Sequence, residues 1–542
     1  MEKVIVTILA FLFSYCVCAQ TKDSISIALD LLDLSFEEAQ LDSMKKALDT
    51  QKESFLEIRK ESLPNDLQYS MVFMPPLNMS KIPEKQAEIK WEIKEEVNLP
   101  EDKSELAFYP VYQLSSLIKS QKITSVELTQ LFLDRLKTYG DTLKCVITIT
   151  DSLAMVQAKR ADVELGEGKY RGPLHGIPYG VKDLLAVKGY KTTWGAMPYK
   201  DQYLDYDATV VKKLEEAGAI LVAKLAMGAL AWEDVWYGGT TKNPWNLLEG
   251  SSGSSAGPAS ATVAGLVPFS IGTETWGSIV WPSTICGATG LRPTFGRVSK
   301  QGAMALNWSM DKIGPICRNA IDCALVFEAI RGEDELDISV RDFPYNYDYS
   351  RDVKSLRIGV LTERLKSESL NYSNDSALIE LLKNEGIELL DKLLPSNIPV
   401  SALSIISDAE SGAAFDELTR SKRDSLMVSQ MLWPNSLRAS RLIPAVEYIQ
   451  ANRLRHKLTL EFNEMMKDID VLIAPSLGSQ NLMTNLTGHP CVVLPDGSYA
   501  VNNPGTITLI GNHFDEANIL MFARYLQEMT PYDEQYPPYF LK

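Results

Sequence analysis

Gly250-Ser-Ser-Gly-Ser-Ser-Ala-Gly257, running on through Pro258-Ala-Ser-Ala-Thr-Val-Ala-Gly265 to the apolar stretch Val267–Gly272, decides how this chain is read. A loop of small residues leads into a helix with Pro258 near its first turn, where a missing N–H leaves no helical bond unmade. A strand follows, and it empties into a second loop, Gly272-Thr-Glu-Thr-Trp-Gly-Ser278. Glycines let backbone N–H groups approach a ligand closely. A serine at the end of such a loop sits beside amides suited to an oxyanion. A plain surface loop has the same composition, so the loops alone do not establish chemistry.

The same alternation extends outward. Strand candidates are Gly176–Lys182, Ala219–Ala223, Val267–Gly272, Arg357–Leu361, Val471–Ala474, Cys491–Leu494 and Thr506–Ile510, with helical patterns between them. One helix opens at a capping box, Thr124-Ser-Val-Glu127, with Ile123 and Leu128 as its hydrophobic staple, and is expected to reach about Leu136. This order predicts an α/β fold, a central sheet covered by helices, over residues 106–542. Residues 20–105 read as a separate, charged helical extension. There Leu41, Met44, Leu48, Phe55 and Ile58 form an apolar stripe, Pro64 and Pro75–Pro76 break it, and a charged run follows at Glu92–Glu96.

Residues 1–19 read as an export signal: Lys3, the apolar run Val4–Tyr15, then Val17 and Ala19 before a cut at Gln20. The chain is therefore expected to be secreted or periplasmic. Lipoprotein anchoring at Cys16 or Cys18 is the lesser alternative, because large residues precede both. No later stretch is long and apolar enough to suggest a transmembrane segment. Cys145, Cys286, Cys317, Cys323 and Cys491 are odd in number and scattered, so they read as buried thiols rather than a disulfide framework. None has metal-ligand spacing. A net charge of −16 argues against a nucleic-acid partner.

A nucleophilic serine needs a base. The four histidines, His175, His456, His489 and His513, offer few candidates for a Ser-His-Asp triad. Gly253-Ser254-Ser255-Ala256-Gly257 matches the G-x-S-x-G nucleophile elbow, which would make Ser255 the nucleophile of an α/β-hydrolase-like esterase. That elbow needs a preceding strand, and Thr240–Ser252 is a poor one. The other base is Lys182, ending the apolar strand in Pro173-Leu-His-Gly-Ile-Pro-Tyr-Gly-Val-Lys-Asp183. It is either paired with a carboxylate such as Asp183 or held neutral by burial.

At these residues the sequence resembles the amidase signature family. Gly172–Asp183 resembles its lysine motif, Gly253-Ser-Ser-Ala-Gly257 its bridging-serine motif, and Gly272-Thr-Glu-Thr-Trp-Gly-Ser-Ile279 its nucleophile motif. Cys286–Ser299, Asp311–Arg318 and Leu486-Thr-Gly-His-Pro490 continue the likeness, which covers roughly residues 108–530. The resemblance implies one large domain with a central mixed β-sheet between helical layers. It implies an amidase hydrolysing a small-molecule or peptide amide C–N bond, with no cofactor and no metal. Ser278 would be the nucleophile, Ser254 the bridging serine after a cis peptide, and Lys182 the base. The backbone N–H groups of Thr275, Trp276, Gly277 and Ser278 would form the oxyanion hole. Lys182 must then be neutral near pH 7.5, a shift of roughly 4 kcal/mol from its ordinary value of about 10.4.

Two departures bear on substrate. Trp276 stands where the family usually has glycine, adding bulk that narrows the acyl pocket. Val280 and Trp281 stand where many relatives carry an arginine able to hold a substrate carboxylate. Trp276, Val280 and Trp281 are thus candidate substrate-binding residues, and a neutral or apolar acyl group is expected. The family's glutamine-hydrolysing subunit of the tRNA amidotransferase fits less well, given the missing arginine and the expected export. A family member that has lost activity and only binds is set against the intact triad.

Overall fold

The computed structural model describes residues 22–91, 93, 96–497 and 504–541, and these divide into two compact units, one ending at Leu67 and one beginning at Gln68. The expected export signal and most of the charged run at 92–96 lie outside the described residues. In the first unit, helices span Lys22–Asp30 and Glu38–Ile58. The second is opened by Gln40, whose side-chain oxygen accepts the Glu37 N–H at 2.8 Å. Leu41, Met44 and Leu48 of the apolar stripe are half-buried, whereas Phe55 and Ile58 are exposed.

The helical signal of the extension is confined to this unit. Among the described residues of 68–105 the regular features are short 3-10 turns and a bridge from Lys90 to Asp348, and aromatic side chains anchor them within the second unit. Tyr69 meets Trp308 and Phe73 meets Phe295, with ring centres 5.4 and 5.2 Å apart, and Trp91 stacks on Tyr347.

Among the described residues the second unit has fifteen strands: β1 (Val146–Ile149), β2 (Pro178–Lys182), β3 (Ile220–Leu225), β4 (Val235–Trp236), β5 (Gly239–Thr240), β6 (Lys242–Asn243), β7 (Asn246–Gly250), β8 (Phe269–Glu274), β9 (Thr289–Arg292), β10 (Lys312–Cys317), β11 (Ile358–Val360), β12 (Leu389–Asp391), β13 (Val471–Pro475), β14 (Cys491–Gly497) and β15 (Gly505–Gly511). Eleven form one sheet in the order β1-β3-β2-β8-β10-β9-β14-β15-β13-β11-β12, while β4–β5 and β6–β7 are separate two-stranded ribbons. The sheet is mixed. β2 runs parallel to β3 and β8, β11 runs parallel to β12 and β13, and the other neighbours are antiparallel.

Both faces are covered, which is why the strands read as unbroken apolar runs. Val471, Ile473, Val492 and Leu494 enter one core cluster, and their neighbours Leu472, Ala474, Cys491 and Val493 enter another. The seven expected strands are present with shifted ends, and β1, β9, β10 and β12 of the sheet are additional to them. The capping box at Thr124 forms: Thr124 Oγ1 accepts the Glu127 N–H at 3.1 Å and Glu127 Oε2 accepts the Thr124 N–H at 3.0 Å. Its helix runs past Leu136 to Leu143 and stops at Lys144, whose φ is +50°. The five cysteines from Cys145 onward are buried free thiols. Among the described residues no helix is long and apolar enough to cross a membrane, and no His/Cys/Asp/Glu cluster suits a metal ion.

Candidate active site

Lys182 ends β2, between β3 and β8 and inside the sheet, and is fully buried. Its Nζ lies 2.8 Å from Ser254 Oγ, 3.1 Å from Ser255 Oγ, 2.9 Å from Thr273 Oγ1 and 3.3 Å from the Thr273 carbonyl oxygen. All four neighbours are neutral oxygens. Burial pulls the amine down from 10.5 to about 7, against the opposing pull of Asp311 and Glu274. Asp183 does not neutralise it. That carboxylate pairs with Lys224 at 2.9 Å, both side chains fully buried, and accepts the Thr193 N–H at 2.8 Å. Of the two readings open to Lys182, burial without a carboxylate partner is the one realised.

The peptide between Gly253 and Ser254 is cis. Ser255, one residue on, is fully buried; its hydroxyl donates to the Thr273 carbonyl at 3.0 Å and accepts the Thr273 N–H at 3.1 Å. The esterase reading with Ser255 as nucleophile is corrected by this. Asn246–Gly250 is a strand after all, but it pairs only with β6 outside the central sheet, and the hydroxyl it leads towards fastens the start of the helix Ala256–Val263 to β8 in the interior.

Ser278 lies on the wall of a cavity of about 260 Å³, with Gly253 and Thr275. Glu274, at the end of β8, organises the loop. Its Oε2 accepts the Ile279 and Val280 N–H groups at 2.8 and 2.9 Å, and its Oε1 meets Arg292 at 2.7 Å and Asn485 at 2.8 Å. Burial would raise this carboxyl, but Arg292 and Lys312 hold it down at about 2. The two amides after Ser278 are thereby occupied, whereas the N–H groups of Thr275, Trp276, Gly277 and Ser278 carry none of the described hydrogen bonds. Thr275 Oγ1 donates to Asp311 Oδ1 at 2.5 Å, tying the loop to the start of β10.

Trp276 and Trp281 line the cavity and remain 48% and 42% exposed, so neither ring is a core residue. Val280 is not a lining residue. The helix Val280–Cys286 turns it into the core cluster that also holds Leu361, Leu472 and Val493, and its expected contact with substrate is withdrawn. The opposite wall comes from residues 231–233 with Ser407, Asp408 and Trp433. Leu230, Ala231, Glu233 and Ser252 all have φ between +51° and +63°, a conformation costly for side-chain-bearing residues and concentrated where sites demand it. Trp232, Glu233, Asp408 and Trp433 carry no motif signal, since Asp408 and Trp433 lie in a helical region far along the chain.

The fold and site are those of a hydrolase acting on amide C–N bonds. Residues 127–490 match the Amidase family model, and the chain belongs to that family, the amidase signature family. A glutamyl-tRNA(Gln) amidotransferase subunit from Roseiflexus sp. (strain RS-1) is 32% identical over 468 residues, 77% of this chain and 95% of that protein. The corresponding subunit of Coxiella burnetii (strain RSA 493 / Nine Mile phase I) is 31% identical over 79% of this chain and 98% of its own length. Native peptide amidase from Stenotrophomonas maltophilia superposes with a TM-score of 0.71 at 25% identity, covering 79% of this chain and 98% of that one. A bacterial aryl acylamidase of the amidase signature family shares the fold, with a TM-score of 0.68 at 20% identity, over 79% of this chain and 98% of that one. The amidotransferase relatives also overturn the expected export. They align over 77–80% of the chain and are named for glutamyl-tRNA(Gln), which counts against an exported enzyme, and the export reading is not carried further.

Proposed function

We propose that the protein hydrolyses a carboxylic amide through an acyl-enzyme on Ser278, with Lys182 as base and Ser254 as proton relay. In its neutral form the Lys182 amine takes a proton from Ser254 as Ser254 takes one from Ser278. The Ser278 oxygen bonds to the amide carbon, and the carbonyl electron pair moves onto its oxygen, which the N–H groups of Thr275, Trp276, Gly277 and Ser278 receive. Collapse breaks the C–N bond, and the proton held on Lys182 returns through Ser254 to the departing nitrogen. Water repeats the cycle on the ester and releases the acid. The carrying observation is the neighbourhood of Lys182: two serine hydroxyls and Thr273 within 3.1 Å, no carboxylate in contact, and an amine drawn down to about 7.

The substrate is a small-molecule or peptide amide. Glutamine fits poorly, because its α-carboxylate would meet Trp281 and the acidic wall of the cavity rather than an arginine. A neutral fluorophosphonate should label Ser278 in the whole protein, and Ser278→Ala and Lys182→Met should each abolish labelling. A label on Ser255, or undiminished amide hydrolysis by Ser278→Ala, defeats the reading.

A further inference from the structure

The cavity beside Ser278 has an unusual wall. Four of its lining side chains are tryptophans: Trp232, Trp276, Trp281 and Trp433. Trp232 and Trp433 stand nearly perpendicular, 80° apart with ring centres 4.5 Å from each other. Trp281 lies across Gly277, where an added Cβ would come within 2.4 Å of the indole. The only charged residues on the wall are Glu233 and Asp408, and no Lys, Arg or His lines it. Among the described residues neither carboxylate forms an ion pair, although Arg438 and Arg441, on the neighbouring helix segment, are paired with Asp424 and Asp416.

From this wall we infer that the acyl part of the substrate carries a cationic head, a quaternary or protonated amine, received by the indole faces and by Glu233 and Asp408. The inference rests on the amidase reading of the cavity. It departs from the expectation of a neutral or apolar acyl group by giving that group a positive charge, while agreeing with it that Trp281, standing where many relatives carry an arginine, leaves no cation to hold a substrate carboxylate. Indole faces are the strongest aromatic partners for a cation. Two carboxylates add a field of the same sense, that of half-buried Asp408 less screened by solvent than that of exposed Glu233. Burial raises the Asp408 carboxyl above the usual carboxylate range, and a cation set against it would favour its charged form. A hydroxyl or an alkyl group would gain the apolar contact with the rings but would leave both carboxylates unpaired.

The test compares three probes of one shape on the full chain: choline, 3,3-dimethylbutan-1-ol and 3,3-dimethylbutanoate. Binding is read by quenching of tryptophan fluorescence and, separately, by protection of Ser278 from a neutral fluorophosphonate. Choline should bind about tenfold more tightly than the neutral isostere, the size of one favourable cation–π or charge contact, and the carboxylate should bind more weakly than either. In Asp408→Asn and in Glu233→Gln the choline preference should shrink, and in the double variant it should fall further, to the part that the indole faces supply. Equal binding of choline and the alcohol overturns the inference, as does a preference untouched by the double variant. Fluorescence and labelling keep two failures apart. Absence of Ser278 labelling sinks the amidase reading, whereas the choline ratio alone decides the cation site.

Discussion

The sharpest consequence of a neutral buried lysine is a pH profile. Lys182 is drawn to about 7, so its neutral fraction is near one-half at that pH. Titration about that value leaves about nine-tenths of the amine neutral at pH 8 and about one-hundredth at pH 5. If only the neutral amine can accept the Ser278 proton through Ser254, nucleophilicity of Ser278 follows that fraction. The second-order rate of labelling by an uncharged fluorophosphonate should fall about ninetyfold from pH 8 to pH 5, tenfold per unit on the acid limb, and level off above pH 8. The probe has no titrating group, so the profile belongs to the protein, and circular dichroism at each pH shows that the fold persists. Lys182→Met should remove the profile together with the labelling. A lysine at its ordinary value predicts a different curve, with the rate still climbing about thirtyfold between pH 8 and 9.5. That climb, or a flat line from pH 5 to 9, would refute the assignment of Lys182 as the base.

Three further outcomes follow from the same geometry. The folded amine releases its proton near 7 while an unfolded lysine keeps it to about 10.5, so its burial destabilises the protein fully below pH 7 and less as pH rises to 10.5. Lys182→Met should therefore raise the melting temperature more at pH 6 than at pH 10, with a ceiling of about 4 kcal/mol because Ser254 and Thr273 lose a partner; an equal shift at both pH values counts against it. Asp183→Asn strands the buried Lys224 charge and should cost about 3–5 kcal/mol, most of which Asp183→Asn with Lys224→Met should recover; additive losses in a double-mutant cycle would deny the pairing. An added Cβ at Gly253 would lie 1.7 Å from the Glu233 carbonyl oxygen, so Gly253→Ala should displace the cavity wall and slow Ser278 labelling about a hundredfold with the fold retained; full labelling by that variant would show that the wall tolerates the shift.

What the sequence disclosed and what it withheld divide along a physical line. Strands buried on both faces through apolar side chains, such as Val471–Pro475 and Gly505–Gly511, announce themselves by composition. β9 and β10, Thr289-Gly-Leu-Arg292 and Lys312-Ile-Gly-Pro-Ile-Cys317, are just as buried but hold glycine, proline and charge. Their burial is made tolerable by partners elsewhere in the chain: Arg292 by Glu274, and Gly314 by the Leu291 carbonyl, which a Cβ would approach to 2.0 Å. No local pattern carries such a pairing. The same line runs through the site. Ser254 and Ser278 stand in short motifs because their loops need small neighbours for close backbone approach, and Lys182 ends a strand whose Gly180 leaves room for Leu225. The far wall needs only that Trp433 and Asp408 reach the cavity from helices that otherwise read as ordinary. Reactive groups demand a fixed local backbone and so leave a sequence signature; a wall that recognises the remainder of a substrate can be supplied by any element that arrives there. Relatives can therefore share the Lys–Ser–Ser motifs while differing in substrate, and in this chain the informative side chains for substrate are those that no motif contains.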